Sequence, residues 1–150
     1  MQDPRFNVLA RQLVRFSTSV KKGEKVMIDA FDIPSEMTVA LIRAVREVGA
    51  MPFVQIQQAA ISREIALAIG ADQLDISSAL ELARMKKMDA YIAIRGSQNI
   101  TEMSDVAPEQ MKLIAKKMRP VIDWRVKKTK WCVLRWPCLL YTSPSPRDQR

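Results

Sequence analysis

Four short apolar runs constrain this chain more than any other feature. They are Val26-Met27-Ile28, residues 52–57, residues 90–94 and residues 131–135. Each has the length of a strand, and the segments between them carry apolar residues at helical spacing. Strands that alternate with crossover-length helices, with apolar cores on both sides, predict an α/β fold. Its sheet is mostly parallel, with helices on both faces. At 150 residues there is room for one such domain and hardly for two.

The helix signals are local. Asp3 before Pro4 is a capping acceptor followed by a proline at the first helical position. Phe6, Leu9, Leu13, Val14 and Phe16 continue the pattern, which stops before Lys22-Gly23. Asp32 and Pro34 read as a second cap-and-proline pair. The stripe of Met37, Leu41, Ala44, Val45 and Val48 follows, with Gly49 at its C-cap. Ser62 is expected to cap a helix ending at Gly70, and residues 71–88 to form another. Pro108 opens a last helix reaching about Lys116, and Pro120 is expected to break it.

Composition excludes several chemistries. The chain has no His. That removes a Ser-His-Asp triad, a Cys-His dyad, an imidazole acid or base and most zinc sites. Two Cys, at 132 and 138, make no disulfide framework and point to a reducing compartment. No run approaches the length of a membrane span, and Met1-Gln2-Asp3-Pro4-Arg5 lacks the layout of a signal peptide. A cytoplasmic location is expected, with no membrane partner. The net charge of +8 comes mostly from one stretch between Lys112 and Arg135, in which Asp123 is the only acid. Such a run reads first as a solvated helix face and a charged turn, so no nucleic-acid partner is expected.

Residues 138–150 change character, with Pro and Ser crowded together and no period. Residues 138–148, Cys-Leu-Leu-Tyr-Thr-Ser-Pro-Ser-Pro-Arg-Asp, match the translation of a transposase-type sequencing adapter at every position. The expectation is a native α/β domain over residues 1–137, cut off at Pro137, and a non-native, disordered tail over residues 138–150.

Open α/β sheets bind ligands at the carboxyl ends of their strands. The first such loop carries Asp29, Asp32 and Glu36, the second Gln57 and Gln58, the third Arg95, Gly96, Ser97 and Asn99. Asp29 with Asp32 could pair for metal or acid-base work, against the simpler role of Asp32 as a helix cap. Arg95 with Gly96-Ser97 could hold an anion or a substrate carboxylate, against pairing with Asp105 or Glu102. Arg95, Ser97 and Asn99 are the substrate-cleft candidates. No glycine-rich phosphate loop follows any strand. Ser97 and Ser104 have no His to activate them. Nothing marks Lys127, Lys128 or Lys130 as desolvated, and Asn99-Ile100-Thr101 is a chance-level glycosylation triplet.

A family resemblance is carried by several blocks in order. They are Asp3-Pro4-Arg5, Val20-Lys21-Lys22-Gly23-Glu24-Lys25-Val26, and Gly49-Ala50-Met51-Pro52-Phe53-Val54. Then come Met88-Asp89-Ala90-Tyr91-Ile92-Ala93-Ile94-Arg95-Gly96 with Asn99 and Ser104-Asp105-Val106, and the run from Lys127 to Pro137. Together they resemble the N-terminal region of the thermophilic metallo-aminopeptidase family, of aminopeptidase T or leucyl aminopeptidase type. The resemblance implies a truncated N-terminal domain of a two-domain, cytoplasmic exopeptidase. Full-length members act on peptide substrates in proteolysis, are homodimers, and use two divalent metal ions such as zinc or cobalt. It also implies that the metal ligands and catalytic residues lie in a C-terminal domain. No catalytic or metal role therefore falls on a numbered position here, no metal is expected on this fragment, and the fragment is expected to be inactive. After Pro137 the family continues with a Thr-Pro-Ser-like segment, where this chain enters the adapter-like tail. The surface that would meet the missing domain is expected to be apolar. The alternative is a stand-alone α/β module for a small molecule or anion.

Overall fold

A computed structural model describes residues 3–96 and 104–136. The strands are β1 (Lys25–Phe31), β2 (Met51–Gln57), β3 (Ala90–Arg95) and β4 (Lys130–Arg135). The helices are α1 (Pro4–Gln12), α2 (Ser35–Glu47), α3 (Ala59–Ala66), α4 (Ala71–Met85) and α5 (Pro108–Lys128). Among the described residues the strands form one sheet, all parallel, in the order β2-β1-β3-β4. This is the α/β arrangement the sequence pattern predicts.

Residue alternation along the central strands builds two cores. Val26 and Ile28 of β1, with Ala90, Ile92 and Ile94 of β3, pack against Ala10 of α1, Leu13 and Val14 just beyond it, and Leu41 and Val45 of α2. Met27, Tyr91 and Ala93 point the other way, onto Met85 of α4 and Val121 of α5. Parallel strands buried on both faces need such continuous apolar runs. The outer strands differ from that expectation. Val54 and Ile56 of β2 and Trp131 and Val133 of β4 are exposed, because no helix fully covers the edges.

The first helix starts as its sequence dictates: Asp3 accepts the Arg5 backbone N–H at 2.9 Å. It runs on as a π-helical turn, Leu13–Ser17, and the Thr18 hydroxyl closes it by donating to the Leu13 carbonyl at 2.8 Å. Gly49 ends α2 with φ 82°. Its N–H donates to the Arg46 carbonyl while the Ala50 N–H donates to Val45, a Schellman closure that needs the left-handed conformation.

Three local expectations are corrected. Asp32 does not cap α2, whose N-cap is Pro34 with no side-chain bond. Ser62 lies inside α3, which begins three residues earlier at Ala59. Pro120 does not break the last helix, which runs unbroken from Pro108 to Lys128. The proline removes one backbone bond, but Pro120 and Lys116 are exposed, so water can satisfy the freed carbonyl. Met118, Val121 and Trp124, on both sides of the proline, pack into the same core as Leu82 and Met85 of α4. That shared burial holds the two halves together.

Candidate functional site

The strand order reverses between β1 and β3: β2 lies to one side of β1, and β3 and β4 to the other. The carboxyl ends of β1 and β3 therefore form the topological switch point, where such sheets place their ligands. Here the two ends are tied together. The Gly96 N–H donates to the Phe31 carbonyl at 2.7 Å. A Cβ on Gly96 would lie 2.6 Å from the Asp32 carbonyl oxygen, so only glycine permits this approach.

Asp29 and Asp32 do not act as a carboxylate pair. Asp29 is 4% exposed. One of its oxygens accepts the Tyr91 hydroxyl at 2.6 Å, and the other accepts the Gln57 side-chain amide at 2.8 Å. Asp32 sits in a left-handed turn, φ 51°, and accepts the backbone N–H of Ala59 at 2.9 Å. It therefore caps α3, not the helix that follows it directly. Burial, and then the Asp29 charge, push the Tyr91 hydroxyl far above its ordinary pKa.

Arg95 ends β3 exposed, with its guanidinium 4.9 Å from the Phe31 ring centroid. It does not pair with Asp105, which instead binds Arg63. Ser97, Asn99 and Glu102 lie outside the described residues. Arg125, on α5, lays its guanidinium 3.9 Å from the centroid of the Tyr91 ring. The partnership of Asp29, Tyr91, Gln57 and Arg125 was not foreseen from sequence. One signal was present: a Tyr within an otherwise aliphatic buried strand needs a partner for its hydroxyl.

A cleft of about 540 Å³ opens on the other face of the sheet, between α2 and β2. Val39, Ile42, Val54 and Ile56 make its apolar wall, and Thr38 and Gln57 add polar groups. Its one carboxylate, Asp32, is engaged as a cap. The cleft can hold a ligand but contains no acid-base pair.

Nor do the residues fit a metal centre. The chain lacks His. Among the described residues no group of three or more His, Cys, Asp or Glu could hold an ion. Among the described residues, too, no helix is long and apolar enough to cross a membrane. The basic stretch is partly paired: Lys117 with Asp75 at 2.8 Å and Lys130 with Glu24 at 2.6 Å.

A family model described as thermophilic metalloprotease (M29) matches residues 2–147. No curated protein sequence matches the chain. Among solved structures, wild-type AmpT from Thermus thermophilus superposes with a TM-score of 0.68 at 18% identity. That match covers 87% of this chain and 35% of the AmpT chain, so the present chain spans about a third of it. A LacI-family transcription regulation repressor from Corynebacterium glutamicum has a TM-score of 0.37 at 9% identity, over 87% of this chain and 59% of its own. CurK enoyl reductase has a TM-score of 0.41 at 11% identity, over 95% and 45%. Neither of the last two carries an argument about function.

Proposed function

The chain belongs to the thermophilic metalloprotease (M29) family, and from that premise we propose that it is the N-terminal α/β domain of a metal-dependent aminopeptidase. The full-length enzyme would remove N-terminal residues from peptides as a cytoplasmic homodimer. The observation that carries this is the family match across residues 2–147. The fold likeness to AmpT, over 35% of that chain, supports the domain assignment. On this reading residues 1–137 are native and residues 138–150 are adapter read-through.

The metal ions that the family name implies do not fit the residues present, and no catalytic step is assigned to them. The ligands would belong to a further domain, and this domain would contribute shape to the substrate cleft. Arg95, Ser97 and Asn99 are proposed to face that cleft. The alternative is a stand-alone small-molecule or anion-binding module using the loop from Arg95 to Asn99; the apolar cleft between α2 and β2 supports only its small-molecule form.

The direct test is an assay on leucyl-p-nitroanilide with added zinc or cobalt. The 150-residue chain is expected to show no hydrolysis above the metal-only blank. A longer protein that carries the remaining domain should hydrolyse it, and lose that activity on chelation. Metal-dependent turnover by the short chain alone would overturn the reading.

The domain's edge gives a second expectation. The seven residues of β2, Met-Pro-Phe-Val-Gln-Ile-Gln, carry no charge. Met51, Phe53, Val54 and Ile56 are all exposed, Ile56 at 71%. Edge strands normally carry charges or other guards against pairing, and the only such guard in β2 is Pro52, near its start. The isolated chain should therefore self-associate, with a weight-average mass that rises above 17.1 kDa with concentration in sedimentation velocity. Ile56→Lys should return it towards monomer. A concentration-independent monomer in the parent chain would count against an uncovered interface.

A further inference from the structure

We infer that the free edge of β4 and the adjoining flank of α5 form a seat for one more helix and one more parallel strand, supplied by the longer protein beyond Pro137. The inference rests on the reading of this chain as part of an M29 enzyme, and it moves the end of the N-terminal domain past Pro137.

The sheet shows the open ground first. Trp131 and Val133 of β4 are in register with Tyr91 and Ala93 of β3, so all four side chains lie on the face of α4 and α5. Tyr91 is 1% exposed, yet Trp131 is 45% exposed. On the opposite face, Cys132 and Leu134 pack against the core that α1 and α2 cover. The apolar surface left open on β4 is therefore one-sided, and the side is that of α5.

The helix agrees. Met118, Val121 and Trp124 turn α5 into the core. Lys117 and Pro120 mark the side towards α4: Lys117 pairs with Asp75, and Pro120 lines a small cleft with Leu82. At about 100° per residue, Met111, Ala115, Ile122 and Val126 form one stripe about 60° wide. It points away from α4, and all four residues are exposed. A helix that is apolar on two sides is suited to two neighbours.

Chain direction selects the occupant. The step from β1 to β2 crosses on the face of α2. The step from β3 to β4 runs the other way across the sheet and crosses on the face of α5. Opposite directions on opposite faces give one hand, as the handedness rule for parallel crossovers requires. A strand added outside β4 continues the step from β3 to β4, so its crossover helix belongs on the α5 face. That is where Trp131, Val133 and the stripe stand open. Residues 137–150 are too few for the task, since a crossover takes about a dozen residues and a strand about five more. The AmpT match covers 35% of that chain, so a longer homologous protein has ample sequence to supply both elements. Exposed Lys112 and Lys116 border the stripe, and the incoming helix is expected to set Asp or Glu against them.

Hydrogen exchange tests the strand. The Lys130 and Trp136 N–H groups donate to Asp89 and Arg95 along β3. By the period of two, the Val133 N–H points to the open edge. It should exchange freely in the 150-residue chain, below the concentration at which that chain associates. In the protein encoded past Pro137 by the resequenced source DNA it should exchange at least about a hundredfold more slowly. Alkylation of the thiol in Val126→Cys tests the helix, and it should be at least about tenfold slower in the longer protein than in the short chain. Fast exchange at Val133, or equal alkylation in the two proteins, would overturn the seat. If that longer protein still hydrolyses leucyl-p-nitroanilide and loses the activity on chelation, the enzyme reading stands without it. Slow exchange at Val133 in the dilute short chain would also overturn the seat, because the edge would then be covered already. A reading frame that stops after Arg150 would overturn the seat and the enzyme reading together.

Discussion

Gly96→Ala is expected to destabilise the domain by about 3 kcal/mol and to lower its melting temperature by roughly 6–12 °C. The new methyl group would meet backbone and not the end of a flexible side chain. Its carbon would lie 2.6 Å from the Asp32 carbonyl oxygen and 3.2 Å from that of Phe31. Relief requires the carboxyl ends of β1 and β3 to separate. That motion stretches the 2.7 Å bond from the Gly96 N–H to Phe31. It also disturbs Asp32, whose carboxylate caps α3. One methyl group thus loosens two strand ends and a helix start together. Thermal unfolding followed by circular dichroism checks this, and a melting temperature within about 2 °C of the parent would show that the junction is softer than its geometry implies.

Tyr91→Phe should cost about 2 kcal/mol at neutral pH, the worth of a hydrogen bond to a charged acceptor. The ring and its contact with Arg125 survive, and only the hydroxyl is lost. Asp29, 4% exposed, is then left with one oxygen unserved. The effect should depend on pH in a defined direction. Burial first, then the Asp29 charge, hold the native hydroxyl far above its ordinary value. In the unfolded chain the hydroxyl ionises near pH 10. Above that pH the unfolded state sheds a proton that the native state keeps, so the stabilisation from Tyr91 is full below about pH 10 and is lost as pH rises. The gap between parent and variant in denaturant unfolding should therefore narrow in alkali. A gap that widens would mean the native phenol ionises first.

Much of the frame was legible because its signals are local. Asp3-Pro4 marks a helix start, Gly49 a helix end, and the apolar runs of β1 and β3 a doubly covered sheet. Each depends on a few neighbouring residues. The errors fall where a distant partner decides. Asp32 precedes a helix by three residues, yet its carboxylate turns to a different helix, 27 residues on. Pro120 carries a strong helix-breaking signal, which burial against α4 overrides. The same limit applies to the candidate site. Arg95 could be found at the end of a strand, and the lack of His could be counted. Arg125 looks like one more cation in a basic stretch. Only the parallel register of β1 and β3, with α5 laid across them, puts it over Tyr91 and Asp29 beneath. Ser97 and Asn99 lie outside the described residues, so the loop beyond Arg95 stands as the sequence left it.

The central claim is that this chain supplies one domain of an M29 enzyme and that the metal chemistry lies beyond it. The assignment of the tail rests on its composition and its adapter match, since the family match itself runs to residue 147. Resequencing the source DNA by a library method free of transposase adapters tests the claim most directly. The account predicts a reading frame that continues past Pro137 into a further domain supplying His, Glu and Asp ligands. The same codons for residues 138–150, followed by a stop, would contradict it and move the stand-alone binding module to first place.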